Sequence, residues 1–202
     1  MRLGVPVKLL SPGAPKSNDA RRWQSGPHLR VSLGYLDAAL DLLDALDIRM
    51  YRMSSDLAPY ATHPDLPQFH GQVAECDADL AAIGAKARRL GIRLSFHPSQ
   101  FVVLNSPDPA LVGKSIADLA SQAEMLDRMG LGPEAVLVIH LGGTYDDRAA
   151  ARVRWVETWE ARLPQHVKAR LVLENDDIRF DAADALWVHG ETGVRLVFDH
   201  HH

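Results

Sequence analysis

The sequence predicts an α/β fold, a TIM-like (β/α) barrel of which about six strand–helix units are visible. Three observations carry this expectation. Short apolar runs alternate with stretches of helical periodicity at a spacing of about 30 residues, the rhythm of βαβ units. Continuous apolar runs such as Leu171-Val-Leu-Glu174 read as parallel strands buried on both faces. Four of the runs finish in a potential metal ligand: Arg93-Leu-Ser-Phe-His97, Ala135-Val-Leu-Val-Ile-His140, Leu171-Val-Leu-Glu174 and Val194-Arg-Leu-Val-Phe-Asp199. In an α/β barrel the carboxyl ends of the strands face the active site, so a recurrent ligand there is one constellation rather than four coincidences.

Each element has its own signal. Residues 2–8 form a first strand, with Leu3, Val5 and Val7 alternating. Residues 11–27, rich in Pro, Gly, Ser and Asn, form a long loop, and loops of that length are usually functional. Leu36, Leu40 and Leu43 give helical spacing over 36–46, followed by a second strand over 48–53. Residues 72–90 are one helix closed by Gly91, with Cys76 an ordinary helix residue, and a third strand covers 92–97. Asp108 as cap and Pro109 at the first helical position open the next helix. Its inward stripe is Val112, Ile116, Leu119, Ala123 and Leu126, and Gly130 ends it. The fourth strand is 135–140, and Gly142-Gly143-Thr144 follows directly. Residues 147–162 are helical with Val153, Val156 and Trp159 on one face; the fifth strand is 169–174; a short helix covers 182–188; the sixth strand is 194–199.

A closed eight-stranded barrel needs two more strands and about 250 residues in all. The expectation is therefore one domain over residues 1–202, an incomplete barrel truncated after about six units, because a sixth strand left as an apolar edge is something natural proteins avoid.

Composition bounds the function. The chain has 202 residues, 47% of them hydrophobic and 24% charged, which suits a soluble globular domain. Lys and Arg number 22 against 26 Asp and Glu, so the net charge is 22 − 26 = −4. That is no basic footprint for nucleic acid, although bound divalent cations add local positive charge. A single cysteine, Cys76, excludes an internal disulfide and fits a reducing, cytoplasmic setting. No signal-peptide core and no run of ~20 apolar residues is present, so no membrane partner is expected.

The candidate metal ligands are His63, His97, His140, Glu174, Asp199 and His202. Imidazole and carboxylate suit zinc, manganese or iron, and a strand-end carboxylate can bridge two cations. His28, His70, His166 and His189 lack the strand-end position and read as ordinary surface or hydrogen-bonded histidines. The closing His200-His201-His202 also admits reading as the start of a purification tag.

At these residues the chain resembles the ultraviolet damage endonucleases, ATP-independent repair enzymes with a TIM-barrel fold. The matching segments are Leu3-Gly4, Tyr51-Arg52-Met53-Ser54-Ser55, Ala61-Thr62-His63-Pro64, Leu94-Ser95-Phe96-His97-Pro98-Ser99-Gln100-Phe101, His140-Leu141-Gly142-Gly143, Leu173-Glu174-Asn175-Asp176 and Phe198-Asp199-His200-His201-His202. A more distant likeness to endonuclease IV rests on the late Glu and Asp-x-x-His pattern. The resemblance implies a cluster of two or three divalent cations, usually manganese, on His63, His97, His140, Glu174, Asp199 and His202. It also implies a monomer acting on ultraviolet-damaged double-stranded DNA, with Gln100 and Phe101 as the lesion-probing pair. Phe101 would stack where a base is displaced, and Gln100 would hydrogen-bond the orphaned opposite bases. Gly142 and Gly143 would let the backbone approach a phosphate.

Three features depart from the family pattern. Val5 and Leu9 stand where many members carry Tyr and Asn, and Phe101 replaces the commoner Tyr. The family's remaining ligands and a lysine near the metals lie on strands seven and eight, so no catalytic side chain of this kind is assigned in this chain. The implied reaction is hydrolysis of the phosphodiester 5′ to a photoproduct by water activated on the metals. Two rival readings remain: a metal-dependent sugar isomerase or epimerase on the same barrel, and a lesion-binding module that does not cut.

Overall fold

In the computed structural model, residues 3–176 and 178–200 are described. Six strands run in the order β1-β2-β3-β4-β5-β6 in one sheet, the α/β class the sequence predicts. The chain divides into two compact units, Met1–His97 with Glu124–Ala135, and Pro98–Ala123 with Val136–His202.

In the first unit, β1 (Gly4–Pro6), β2 (Met50–Met53) and β3 (Arg93–Phe96) pair in parallel, with Val5 opposite Tyr51 and Tyr51 opposite Leu94. All three are shorter than the apolar runs that mark them. Helix α1 spans Leu29–Ala45 and starts seven residues before the predicted boundary. The reason is a stripe that begins earlier: Leu29, Leu33, Leu36, Leu40 and Leu43 are all buried at alternating steps of four and three. His28 caps it, its Nδ1 accepting from the Arg30 N–H at 3.1 Å.

The helix predicted over 72–90 is broken. A short α2 (Gln72–Glu75) and a longer α3 (Asp77–Leu90) meet at Cys76, whose φ of −102° and ψ of 20° leave the helical region. Buried Gln72 explains the break: its side chain accepts from the Leu29 N–H at 2.7 Å and donates to the carbonyls of Pro59 and Phe69. Those three bonds fix the first turn in a direction α3 does not continue. Cys76 is thus a buried hinge residue, and burial pushes its thiol up, away from reactivity. Gly91 closes α3 in the left-handed region at φ 66°.

Helix α4 (Pro109–Arg128) begins as expected, the Asp108 carboxylate accepting from the Ala110 N–H at 2.9 Å. In the second unit β4 (Leu137–His140), β5 (Leu171–Glu174) and β6 (Arg195–Val197) pair in parallel. Helix α5 (Arg148–Ala161) buries Ala151, Trp155, Thr158 and Trp159, while Val153 is exposed. The predicted face was rotated, because the stacked rings of Trp155 and Trp159, 5.5 Å apart, set which side turns inward. A one-turn α6 (Gln165–Lys168), not anticipated, follows Pro164. Helix α7 (Ala182–Thr192) runs past the predicted end and carries Gly190 inside it; its stop is Gly193 at φ 72°. All three residues of β6 are exposed.

Candidate metal centre

The centre begins with strand register. β4 and β5 pair so that His140 lies opposite Glu174, each the last residue of its strand. Residues that are partners across a parallel pair point to the same side, so imidazole and carboxylate meet: His140 Nε2 is 3.4 Å from Glu174 Oε2. Every residue of β5 is buried, and Glu174 itself is only 4% exposed. A carboxylate removed from water in this way needs a cationic or hydrogen-bonding partner. The His140 side chain is 26% exposed, so the pair is reached from one side.

His97 follows β3 directly. One donor atom each from His97, His140 and Glu174 lies within 4.8 Å of the other two. Two imidazoles and one carboxylate are a borderline-to-hard set that fits manganese, iron or zinc. The residues present therefore fit a divalent cation.

Asp199 and His63 are not among the three grouped residues. Asp199 lies two residues beyond β6, and its backbone is pinned beside β5: Asn175 Nδ2 donates to the Asp199 carbonyl at 3.2 Å, and the Asp199 N–H donates to Asn175 Oδ1 at 3.0 Å. This two-way clamp sets Asp199 next to the residue that follows Glu174, although Asp199 is not within the three-residue group. His63 sits in a loop of the first unit, where its Nδ1 accepts from the Asp65 N–H at 3.3 Å and its carbonyl receives His70 Nε2 at 2.8 Å. His202 lies outside the described residues.

Gln100 and Phe101 are both exposed, and Phe101 shows 74% of its surface. An aromatic so exposed, five residues past the end of β3, is not a core residue. Its backbone is held by a turn, with Val102 N–H donating to the Ser99 carbonyl at 2.8 Å. Gly142 takes φ 108°, which side-chain-bearing residues rarely adopt, and a Cβ there would run into Asn105 Oδ1.

Sequence reasoning missed Asn105. It is wholly buried, and its Nδ2 donates to the Gly143 carbonyl at 2.8 Å. Its signal was available: Val102-Val103-Leu104-Asn105 is another apolar run that ends in a polar residue. Asn175 was visible in its motif but without a role.

A model of the UV-endonuclease UvdE family matches residues 33–202. The UV DNA damage endonuclease of Bacillus pumilus is 38% identical over 156 residues, covering 77% of this chain and 48% of that protein. The chain thus spans about half the length of this curated relative. The solved crystal structure of SacUVDE superimposes with a TM-score of 0.87 at 30% identity, covering 99% of this chain and 69% of the other. A D-psicose 3-epimerase solved with D-fructose is similar with a TM-score of 0.55 at 16% identity, covering 98% and 62% of the respective chains; that likeness is one of fold.

Proposed function

The chain belongs to the UV-endonuclease UvdE family, and on that premise we propose that it binds ultraviolet-damaged duplex DNA and hydrolyses the phosphodiester 5′ to the photoproduct. The observation that carries the proposal is the group of His97, His140 and Glu174 at strand ends. These residues would hold a divalent cation, manganese in preference to zinc, with Asp199, His63 and His202 completing two or three sites. A cation held there supplies Lewis acidity toward a phosphodiester and makes water a nucleophile near neutral pH.

The chain's own groups do the rest. Buried Glu174 offers a fixed negative charge, and His140, paired to it, is kept oriented. Phe101 stacks against a nucleobase and Gln100 offers both amide donor and acceptor to unpaired bases. Gly142, with no Cβ, makes room for the buried Asn105 side chain that holds the turn. No helix among the described residues is long and apolar enough to cross a membrane.

The sugar-epimerase reading uses the same donor set but has no use for an exposed Phe101. Manganese-loaded protein should nick ultraviolet-irradiated supercoiled plasmid and leave unirradiated plasmid intact. Conversion of a ketose without nicking would refute the nuclease. Shift of the irradiated DNA without cutting at any manganese concentration would reduce the activity to lesion binding.

A further inference from the structure

The nuclease reading leaves Tyr145 unused. It lies on the loop between β4 and α5, five residues past His140, and 39% of its surface is exposed. Its backbone is unusual. Tyr145 and Asp146 have φ values of 50° and 62°, two consecutive non-glycine residues in the left-handed region. Such conformations cost free energy, persist only where their surroundings enforce them, and cluster at functional sites.

The enforcing contacts can be followed atom by atom. The Tyr145 ring packs over Gly143, where a Cβ would crowd it at 3.0 Å. The Gly143 carbonyl accepts from Asn105 Nδ2. The Asn105 carbonyl accepts from Arg154 Nε at 2.9 Å, and the Arg154 guanidinium lies 5.6 Å from the centroid of the Tyr145 ring. Asn105 stands four residues after Phe101, on a segment whose Val103 N–H is tied to Ser115 Oγ at 3.0 Å. A closed circuit, Asn105–Gly143–Tyr145–Arg154–Asn105, therefore joins the Tyr145 loop to the segment that carries Gln100 and Phe101. It lies wholly within the second unit.

We propose that Tyr145 is a second stacking contact for nucleic acid, presented beside the Gln100–Phe101 segment and held there by Asn105 and Arg154. The ligand class is a nucleobase or deoxyribose, not a phosphate. Asp146 and Asp147 follow Tyr145 and would repel phosphate, whereas a ring face already backed by a guanidinium is a stacking platform. Asn105 is a positioning residue: its amide fixes the turn on which the tyrosine stands. This inference rests on the nuclease reading of the same site, so its test separates the two.

The test is fluorescence anisotropy of the full chain, loaded with manganese, on a labelled duplex carrying one cyclobutane thymine dimer. Tyr145→Ala should weaken binding by about five- to 150-fold, the span expected for one stacked base. Tyr145→Phe should stay within about twofold of the parent, since the ring is what stacks. Tyr145→Leu, which keeps apolar bulk without a ring, should bind as weakly as the alanine variant, with manganese affinity and thermal midpoint unchanged. Phe101→Ala serves as the reference for the nuclease reading. If Phe101→Ala weakens binding and Tyr145→Ala does not, the role of Tyr145 is overturned and the nuclease reading stands. If Tyr145→Leu recovers parental affinity, or Tyr145→Phe is as weak as alanine, stacking is refuted. A parent chain that does not bind the duplex overturns both.

Discussion

Glu174 lies at the end of a strand buried along its whole length, with His140 Nε2 3.4 Å from its carboxylate. A buried carboxylate is retained at a cost unless it holds a partner of opposite charge. Glu174→Gln preserves shape and removes the charge, so the metal-free variant should still fold. Its manganese affinity should fall by at least about a hundredfold, since even residues that only orient metal ligands cost 10–100-fold when lost. Titration of manganese followed by electron paramagnetic resonance measures this; parental affinity in the variant would remove Glu174 from the centre. At this scale His97, His140 and Glu174 were legible in the sequence because strand ends repeat, and repetition turns separate residues into a pattern. Asn105 and Asn175 were not. A loop asparagine looks like a solvated turn residue until the fold buries it, and both act on backbone atoms that no sequence spacing identifies.

Elements were legible where a single stripe defines them and less so where a distant side chain decides. Leu29 and Leu33 belonged to the α1 stripe from the start, but the preceding loop concealed its origin. That loop is tied down by Asp19, which is buried, accepts from Arg21 Nε at 2.8 Å and from the His28 N–H at 3.0 Å, and donates its own N–H to Ser32 Oγ at 2.9 Å. The Arg21 guanidinium, aided by the backbone N–H groups of His28 and Arg21, lowers its carboxyl from 3.8 to about 2. A folded value below the unfolded one means the carboxylate stabilises the fold fully above about pH 4. That contribution is lost as pH falls through about 2. Its ceiling is about 2 kcal/mol, and half-exposed Arg21 brings it nearer about 1 kcal/mol. Urea unfolding of the parent and of Asp19→Asn should therefore differ by about that amount at pH 6 and converge toward pH 2. An unchanged gap at both pH values would mean the Asp19 charge does not fasten the loop. Gly84 makes the same point inside α3, where a Cβ would run into the Met129 carbonyl. A mid-helix glycine reads as a weak spot in sequence and is here a packing requirement.

For the whole molecule, the parallel α/β grammar was legible because it repeats, and family membership follows from a match over residues 33–202. Net charge was the least informative quantity: −4 overall gives no long-range attraction to a polyanion. If the chain nevertheless binds damaged DNA, the attraction has to be local, and the three-donor group is the place where cations would supply it. Affinity should then track metal occupancy. Protein stripped with EDTA should bind a dimer-containing duplex at least tenfold more weakly than manganese-loaded protein at 50 mM salt. Each phosphate contact made through a cation contributes about 0.9 to the slope of log affinity against log salt, so the stripped protein should also show the shallower slope. Stacking is far less sensitive to salt than phosphate contacts, so a residual, weakly salt-dependent affinity should survive in the stripped protein and fall further in Phe101→Ala. Equal affinities and equal slopes with and without manganese would show that the strand-end donors do not mediate DNA binding.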